Sequence, residues 1–233
     1  MPGQKASESE RREQILRAAH EVALRQGVDG LTVRAVAARA RLSHGLVLFH
    51  FKRKDQLVSA VLDRVLATTL SLRVADDVAL IRAPRERLRA LLRQEVDRLS
   101  RDTRQVRLFL EYWALGTRHA VFQAKISAAL QDYRAAFRTL TEDVLRAEPA
   151  RFAGVTPEGL AAVAVSFING CAVQAMIDPD RFDVEEYLEA VQGILGRFPK
   201  PPLQSPARGR AAEGASGEVG AGAGNGTGSR PRR

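Results

Sequence analysis

Residues 32–57 read Thr-Val-Arg-Ala-Val-Ala-Ala-Arg-Ala-Arg-Leu-Ser-His-Gly-Leu-Val-Leu-Phe-His-Phe-Lys-Arg-Lys-Asp-Gln-Leu, and this stretch decides the fold. Thr32 and Ser43 are residue types that cap helix N-termini, and each precedes a short run with apolar residues at helical spacing. Only Arg41, Leu42 and the capping Ser43 separate the two runs. The sequence therefore predicts a helix-turn-helix, in which the second helix fits the ~12 Å wide major groove of DNA and the first lies across the backbone.

The helices around this motif follow from signals of the same kind. Ser7 and Glu10 have the spacing of a capping box, which predicts the start of the first helix, and Gly27 ends it. Another helix is predicted from near Asp55. The later helices are predicted at 84–101, 103–116, 118–147, 158–178 and 183–197. We therefore predict an all-α protein whose N-terminal three helices contain the helix-turn-helix, followed by a larger helical region.

The net charge of +9 is concentrated at the two ends of the chain. Residues 1–55 contain 11 Lys and Arg against 6 Asp and Glu, residues 56–197 contain 19 of each class, and residues 198–233 contain 6 against 2. A basic end on a neutral body is typical of a protein that binds nucleic acid, although charge alone also fits a solvated surface. Residues 198–233 are rich in Gly and Pro, so we predict a disordered basic tail there.

The segment Gly159–Ile177 contains no charged residue. Its length fits a membrane span, but it is rich in Ala and Gly and has no basic flank, which favours a helix buried in a soluble protein. Such a helix needs cover on two sides, and a single chain readily supplies one. Its apolar residues at helical spacing are Ala161, Ala164, Val165, Ile168, Ala172, Ala175 and Met176.

The motif resembles that of the TetR family of transcriptional regulators over about residues 11–66, with a His-Phe-x-x-Lys signature at 50–54. Farther along, 110–113, 167–170 and 178–179 resemble the regulatory domain of the branch that contains the betaine-pathway repressors. The resemblance implies a DNA-binding domain at 1–56 and a ligand-binding and dimerisation domain at 57–197. It implies a homodimer formed through 158–178 and 183–197, which represses transcription from a palindromic double-stranded operator and responds to a small-molecule effector.

The resemblance also implies roles for individual residues of the motif. By position, Thr32 contacts a phosphate, His44 and Gly45 read bases, and His50 and Lys54 contact the DNA backbone. The DNA-binding candidates are Thr32, Arg34, Ser43, His44, Gly45, Leu48, His50, Lys52 and Lys54. Two positions depart from the family pattern. Arg41 stands where the family usually has a glycine in the turn, and Leu48 stands where it often has a phosphate-binding tyrosine, so a hydroxyl contact is missing.

An effector cavity between the long helices is a further implication of the resemblance. Phe109 and Trp113 are four residues apart and share a helical face, and aromatic walls with a few polar groups suit a small ligand, although the same aromatic residues also suit a packed core. The ligand-binding candidates are Phe109, Glu111, Tyr112, Trp113, Phe167 and Asn169, with Phe122 and Phe137 as further aromatic candidates. The effector stays unidentified, and no cofactor is predicted.

Two other classes of protein are weighed against a regulator: an architectural DNA-binding protein and a small-molecule enzyme. The large neutral region argues against the first. Against the second, His44 and His50 lie about 240° apart on a helix and cannot share a metal, and Cys171 lies in an apolar stretch where packing is expected. We predict no catalytic or metal-binding residue. A polar N-terminus and a single cysteine indicate the cytoplasm.

Overall fold

The computed structural model describes residues 7–196, and this part of the chain contains ten α-helices and no strand. The helices are α1 (Glu8–Gln26), α2 (Val33–Ala40), α3 (His44–His50), α4 (Lys54–Thr69), α5 (Asp76–Ala79), α6 (Pro84–Arg101), α7 (Thr103–Gly116), α8 (Ala120–Ala147), α9 (Pro157–Ile177) and α10 (Val184–Gly196). The predicted all-α class is confirmed. The predicted tail at 198–233 lies outside the described residues.

The caps predicted for the first three helices are present. At α1, the Ser7 N–H donates to Glu10 Oε2 at 2.7 Å and the Glu10 N–H donates to Ser7 Oγ at 3.2 Å, which completes the capping box. The Thr32 hydroxyl accepts from the N–H of the third residue of α2, at 3.1 Å. The Ser43 hydroxyl does the same for α3, at 3.2 Å. Side-chain oxygens therefore satisfy N–H groups that have no partner within their own helix.

The later helices begin and end within two residues of their predicted limits, and one short helix was not predicted. The helix α8 begins at Ala120 rather than 118, because His119 is extended and acts as its N-cap. The one-turn helix α5 was missed, because four residues are too few for a helical period to show. The predicted domain boundary at 56/57 falls in the first turn of α4, a helix that packs on both α1 and α7.

The helix α9 lies at the centre of the larger region and packs on α6, α7, α8 and α10. By length and composition alone it could cross a membrane, yet one of its faces forms core in this fold. The buried residues of that face are Leu160, Ala161, Ala164, Val165, Ile168, Cys171 and Ala172. Only 39% of its most apolar stretch is buried inside one chain, so the opposite face is left without cover.

Arg41 ends α2 in the left-handed conformation, with φ 56° and ψ 44°. It is the one non-glycine residue with positive φ among residues 7–196. The sequence left two alternatives open here, strain at Arg41 or a different turn, and the structure contains the strained form. A Cβ in this conformation contacts the backbone carbonyl that follows it, which costs about 1 kcal/mol.

Replacing Arg41 with glycine is expected to raise the free energy of unfolding by about 1 kcal/mol relative to Arg41→Ala. Both variants remove the guanidinium, but only glycine removes the Cβ that is strained at positive φ. Urea unfolding at one protein concentration measures the difference. Equal stability of the glycine and alanine variants would show that the turn is not strained.

Candidate DNA interface and effector cavity

The helix α3 has one face in the core and one face in solvent. Val47 is buried, whereas His44, Gly45, Leu48 and Phe49 are exposed. The four exposed residues lie at positions i, i+1, i+4 and i+5, which fall on one side of a helix. A Cβ added at Gly45 would meet no atom within 4 Å, so no neighbouring group of the chain requires this glycine. This outer face of α3 is therefore open to a partner that fits a helix.

Cationic side chains flank the outer face of α3. Arg34 on α2 and both Lys52 and Lys54 after α3 are exposed, and none of them forms an ion pair within the described part of the chain. By contrast, Arg39 pairs with Glu21, and Arg53 pairs with the carboxylate of Asp55 at 3.1 Å. The three unpaired cations can reach phosphates without first breaking an ion pair.

The predicted DNA-binding residues lie on α2 and α3, in the turns that flank these helices and at the start of α4, and we call helices α1–α3 the predicted DNA-binding end. Eight of the nine are exposed: Thr32, Arg34, Ser43, His44, Gly45, Leu48, Lys52 and Lys54. His50 is half-buried, with its ring edge-on to the ring of Phe49 at 5.2 Å between centroids. Phe49 itself was not predicted, although it is 69% exposed. Phe49 follows Gly45 by four residues and so lies on the same face of α3, and this spacing is the feature of the sequence that indicates its exposure.

A cavity of about 380 Å³ lies between the end of α4 and helices α6, α7 and α9. Three of the six predicted ligand-binding residues line it: Phe109, Trp113 and Asn169. The rings of Phe109 and Trp113 meet edge-to-face with their centroids 5.5 Å apart. Phe109 is buried, while Trp113 is 40% exposed and lies at the mouth of the cavity. Another cavity, of about 310 Å³, lies near the start of α6 and contains none of the predicted residues.

The other predicted ligand-binding residues lie elsewhere, and two of them are packing residues. Tyr112 is fully buried and donates its hydroxyl to the Val58 carbonyl at 2.8 Å, and burial raises the pKa of this phenol. The carbonyl of Phe167 accepts from the Tyr187 hydroxyl at 2.9 Å, and the two rings pack edge-to-face. Of the further candidates, Phe137 is buried and packs on Tyr133, whereas Phe122 is half-buried, packs on Tyr112 and lines a different pocket, near the start of α4. None of these four side chains lines the cavity that contains Phe109, Trp113 and Asn169.

Glu111, the remaining predicted ligand residue, connects α7 to the turn between α1 and α2. Its Oε2 accepts from the Val28 N–H at 2.7 Å. Gly27, in this turn, has φ 73°, and a Cβ there would lie 2.7 Å from the same oxygen. Glycine is therefore required at position 27 both for the backbone conformation and for the approach of the carboxylate. Glu111 faces the DNA-binding end of the molecule and not the cavity.

A second polar link joins α1, α4 and α7. His20 Nε2 lies 3.0 Å from Gln105 Oε1, and the Gln105 amide donates to the Thr68 hydroxyl at 2.6 Å. Because an amide oxygen can only accept, His20 donates through Nε2. Burial lowers the pKa of His20, which favours the neutral ring at physiological pH. The same helix, α7, thus contributes Phe109 and Trp113 to the cavity and contacts the DNA-binding end through Gln105 and Glu111.

The chemistry of the described residues gives no support to an enzyme site. Within residues 7–196, no group of three or more His, Cys, Asp or Glu side chains could hold a metal ion. Cys171 is buried, and burial raises the pKa of its thiol to about 11, so it stays protonated.

Comparison with known proteins matches both parts of the chain. Residues 15–61 match the model of bacterial regulatory proteins of the tetR family, and residues 84–198 match that of the C-terminal region of BetI-type transcriptional repressors. A helix-turn-helix regulator from the dhlA 5' region of Xanthobacter autotrophicus is 28% identical, over 73% of this chain and 82% of its own length. The regulator BetI from Stenotrophomonas maltophilia is 29% identical, over 82% of this chain and 94% of its own length.

Solved structures of transcriptional regulators share the fold. One from Saccharomonospora viridis, in complex with choline, has a TM-score of 0.65 at 19% identity and covers 81% of this chain and 96% of its own. Another from Pseudomonas aeruginosa has a TM-score of 0.67 at 20% identity and covers 82% of this chain and 93% of its own. Together with the two matching family models, the helix-turn-helix geometry shows that this chain is a transcriptional regulator and not an enzyme. It belongs to the TetR family, with a BetI-type C-terminal region.

Proposed function

We propose that the chain acts in the cytoplasm as a homodimeric repressor that binds a palindromic operator and releases it when a small-molecule effector, rather than a cofactor, occupies the cavity beside Trp113. The observation that carries this proposal is the outer face of α3, which is open and is flanked by unpaired cations. In a dimer, two such helices enter successive major grooves about 34–36 Å apart.

The proposed contacts divide into those that position the protein and those that read sequence. Thr32, Arg34, Lys52 and Lys54 contact phosphates, and Ser43 does so at the N-terminus of α3. His44 reaches a base edge, and Gly45 allows the helix backbone to approach the bases. His50 contacts the backbone of the DNA. Leu48, which stands where the family often has a tyrosine, and its neighbour Phe49 supply apolar contact, and thymine methyl groups are the apolar feature of the major groove.

Replacing Lys54 with alanine is expected to weaken binding to all DNA sequences and to reduce the slope of log affinity against log salt by about two for a dimer, since each lysine neutralises one phosphate. The matched control is Arg82→Ala, which removes an exposed cation beyond the other end of α4 and leaves the slope unchanged. His44→Ala instead changes the preferred base at particular operator positions. The operator is first selected from random duplexes with the purified protein, and affinities are then measured from 50 to 300 mM salt.

Two results of that experiment would contradict the proposal. Selection that enriches no sequence at all would favour the alternative, an architectural protein that coats DNA. A Lys54→Ala slope equal to that of the Arg82→Ala control would show that Lys54 makes no phosphate contact.

The dimer is proposed to form through the uncovered face of α9 together with α10. On α9 that face includes Val163, Gln174 and Ile177, which are exposed in one chain, and the half-buried Phe167 and Gly170, so its residues recur every three or four positions. Phe167 also packs on Tyr187 of α10, and Gly170 and Gln174 also line the cavity beside Trp113, so this cavity borders the proposed interface. On α10, Ile194 is 53% exposed. Two copies of these helices would bury this apolar surface as a four-helix bundle, which is the arrangement that the family resemblance implies.

The effector is proposed to act through α7. A ligand that fills the cavity contacts Phe109 and Trp113, and α7 holds the DNA-binding end through the Glu111–Val28 and Gln105–His20 contacts. A ligand that prefers a different position of α7 therefore shifts the population of dimers away from the spacing that fits the operator. The relative from Saccharomonospora viridis holds choline, which supports a small-molecule effector for this fold.

A further inference from the structure

We infer that the cavity beside Trp113 takes an uncharged, mostly apolar molecule, and not a quaternary ammonium compound or a carboxylate. This inference rests on the proposed function, because it names the chemical class of the effector in the proposed site. It departs from the expectation that the BetI-type match and the choline-bound relative would suggest. The observation behind it is the composition of the cavity wall.

Within one chain, no ionisable side chain among the described residues lines this cavity. Its wall is made of leucine, valine, alanine and glycine residues together with the rings of Phe109 and Trp113. The polar groups are the hydroxyl of Thr69 and the amides of Asn169 and Gln174. A hydroxyl or a carbonyl on a ligand could bond to these amides, and the rest of the ligand would need to be apolar to match the wall.

A cation in this cavity would lose its hydration without gaining a counter-charge. The carboxylates on the neighbouring helices are already engaged with other partners. Glu111 accepts from the Val28 N–H on the opposite face of α7, and Glu95 of α6 is paired with Arg98 and bonded to the Tyr133 hydroxyl. The groove on the other side of Trp113 contains Arg134, which is itself a cation. The rings of Phe109 and Trp113 attract a cation through their faces, but they supply no counter-charge.

The absence of cations from the wall argues equally against an anionic ligand. Carboxylates in buried sites are normally held by arginine, lysine or clustered N–H donors, and a zwitterion would need both kinds of partner. A neutral ligand needs neither kind of partner, and each apolar contact with the wall adds to its binding free energy. The cavity volume of about 380 Å³ leaves room for a molecule the size of a substituted benzene.

A pair of isosteric probes separates charge from shape. In tert-butylbenzene a carbon atom occupies the place of the nitrogen in phenyltrimethylammonium, so the two molecules have nearly the same shape and differ by one positive charge. We expect tert-butylbenzene to bind the full-length dimer at least about tenfold more tightly, since only the cation must give up hydration. Trp113 is the only tryptophan in the chain, so quenching of its fluorescence reports occupancy, and the rise in unfolding temperature provides a second measurement.

Two variants tie the result to this cavity. Asn169→Asp adds one carboxylate to the wall with almost no change of shape, and it should shift the preference toward phenyltrimethylammonium by about tenfold or more. Ala172→Phe fills the cavity and should abolish binding of tert-butylbenzene. Equal binding of the two probes to the unmodified protein, tighter binding of the cation, or binding of neither would overturn the inference. Persistence of tert-butylbenzene binding in a folded Ala172→Phe variant would also overturn it, because the occupied site would then be another one.

The DNA readout distinguishes this inference from the proposed function. If choline releases the operator and changes Trp113 fluorescence, the proposed function stands and the neutral ligand class is wrong. If tert-butylbenzene binds with the stated preference but neutral ligands of the cavity leave operator affinity unchanged, the chemistry of the cavity stands and its role as an effector site is wrong.

Discussion

Replacing Val163 with arginine is expected to convert the proposed dimer into a monomer and to lower operator affinity on the order of 100-fold or more, because a monomer loses the effective concentration that links the two half-sites. Val163 is 37% exposed in one chain, so an arginine there meets solvent in the monomer and does not disturb its core. In the proposed four-helix bundle the same side chain would be buried without a counter-charge in each subunit, which costs about 3–5 kcal/mol.

The matched control for Val163→Arg is Val74→Arg, because Val74 is 41% exposed and lies in the segment between α4 and α5, outside the proposed interface. Sedimentation at micromolar concentration measures the oligomeric state, and circular dichroism checks that both variants remain helical. A Val163→Arg variant that stays dimeric and binds the operator normally would place the dimer interface elsewhere. A monomeric unmodified protein at that concentration would contradict the dimer itself.

Val163 could not have been chosen from the sequence. Because α9 is apolar on nearly all sides, the sequence predicts that other helices pack on two sides of it. It does not indicate which of these sides is covered by helices of the same chain. Five of the residues that the sequence singled out, Ala161, Ala164, Val165, Ile168 and Ala172, are buried within one chain. An arginine at Ala172 would therefore disrupt the core and the cavity wall of a single chain. An arginine at Val163 changes the exposed face of α9 and so tests the proposed dimer interface.

The helix-turn-helix, by contrast, was predictable nearly residue by residue. Its helices are short, and their limits are set by local chemistry: the Thr32 and Ser43 hydroxyls cap α2 and α3, and the capping box of Ser7 and Glu10 opens α1. The strain at Arg41 was one of two alternatives that the sequence left open. Phe49 was missed because its exposure depends on which side of a seven-residue helix faces the core, and only Val47 is buried there.

The cavity was predictable only in part, because neighbouring residues on one helix can face different partners. Phe109 and Trp113 share the cavity side of α7, while Glu111 and Tyr112 lie between them in sequence and contact the α1–α2 turn and α4. The sequence marks all four as candidates, but a helix advances by about 100° per residue, so they cannot all face one space. Which of them face the cavity depends on the helices that pack around α7, and these helices are distant in sequence.

Next to this cavity lies an ion pair whose carboxylate is fully buried and whose arginine is partly buried, and breaking it should have the largest effect on stability. Glu95 is fully buried, and its Oε2 accepts from Arg98 Nη2 at 2.6 Å and from the Tyr133 hydroxyl at 2.7 Å. Burial and the Glu95 carboxylate raise the pKa of Tyr133, so the phenol keeps the proton that it donates. Arg98 also donates to the carbonyls of Thr68 and Thr69 at the end of α4. This network fixes the helix that leads from the DNA-binding end to the cavity.

Replacing Glu95 with alanine is expected to lower the free energy of unfolding by about 3–5 kcal/mol, because it leaves the partly buried Arg98 without its counter-charge and the Tyr133 hydroxyl without an acceptor. The matched control is a second ion pair on α6 whose two residues are also three positions apart. Glu86 pairs with Arg89 at 3.5 Å with both side chains 53% exposed, and Glu86→Ala should cost about 0.2–1 kcal/mol. Urea unfolding of both variants at one protein concentration measures the difference.

Equal losses in the Glu95 and Glu86 variants would show that the buried network adds nothing beyond an ordinary surface pair. Glu95→Gln refines the test, since the amide keeps an acceptor for Tyr133 but loses the charge that holds Arg98. If this variant recovers stability without recovering operator affinity at a temperature where it is folded, the charge of Glu95 acts by holding Arg98 against the end of α4. The network would then set the position of α4, and through it the spacing of the two α3 helices in the proposed dimer, in addition to stabilising the fold.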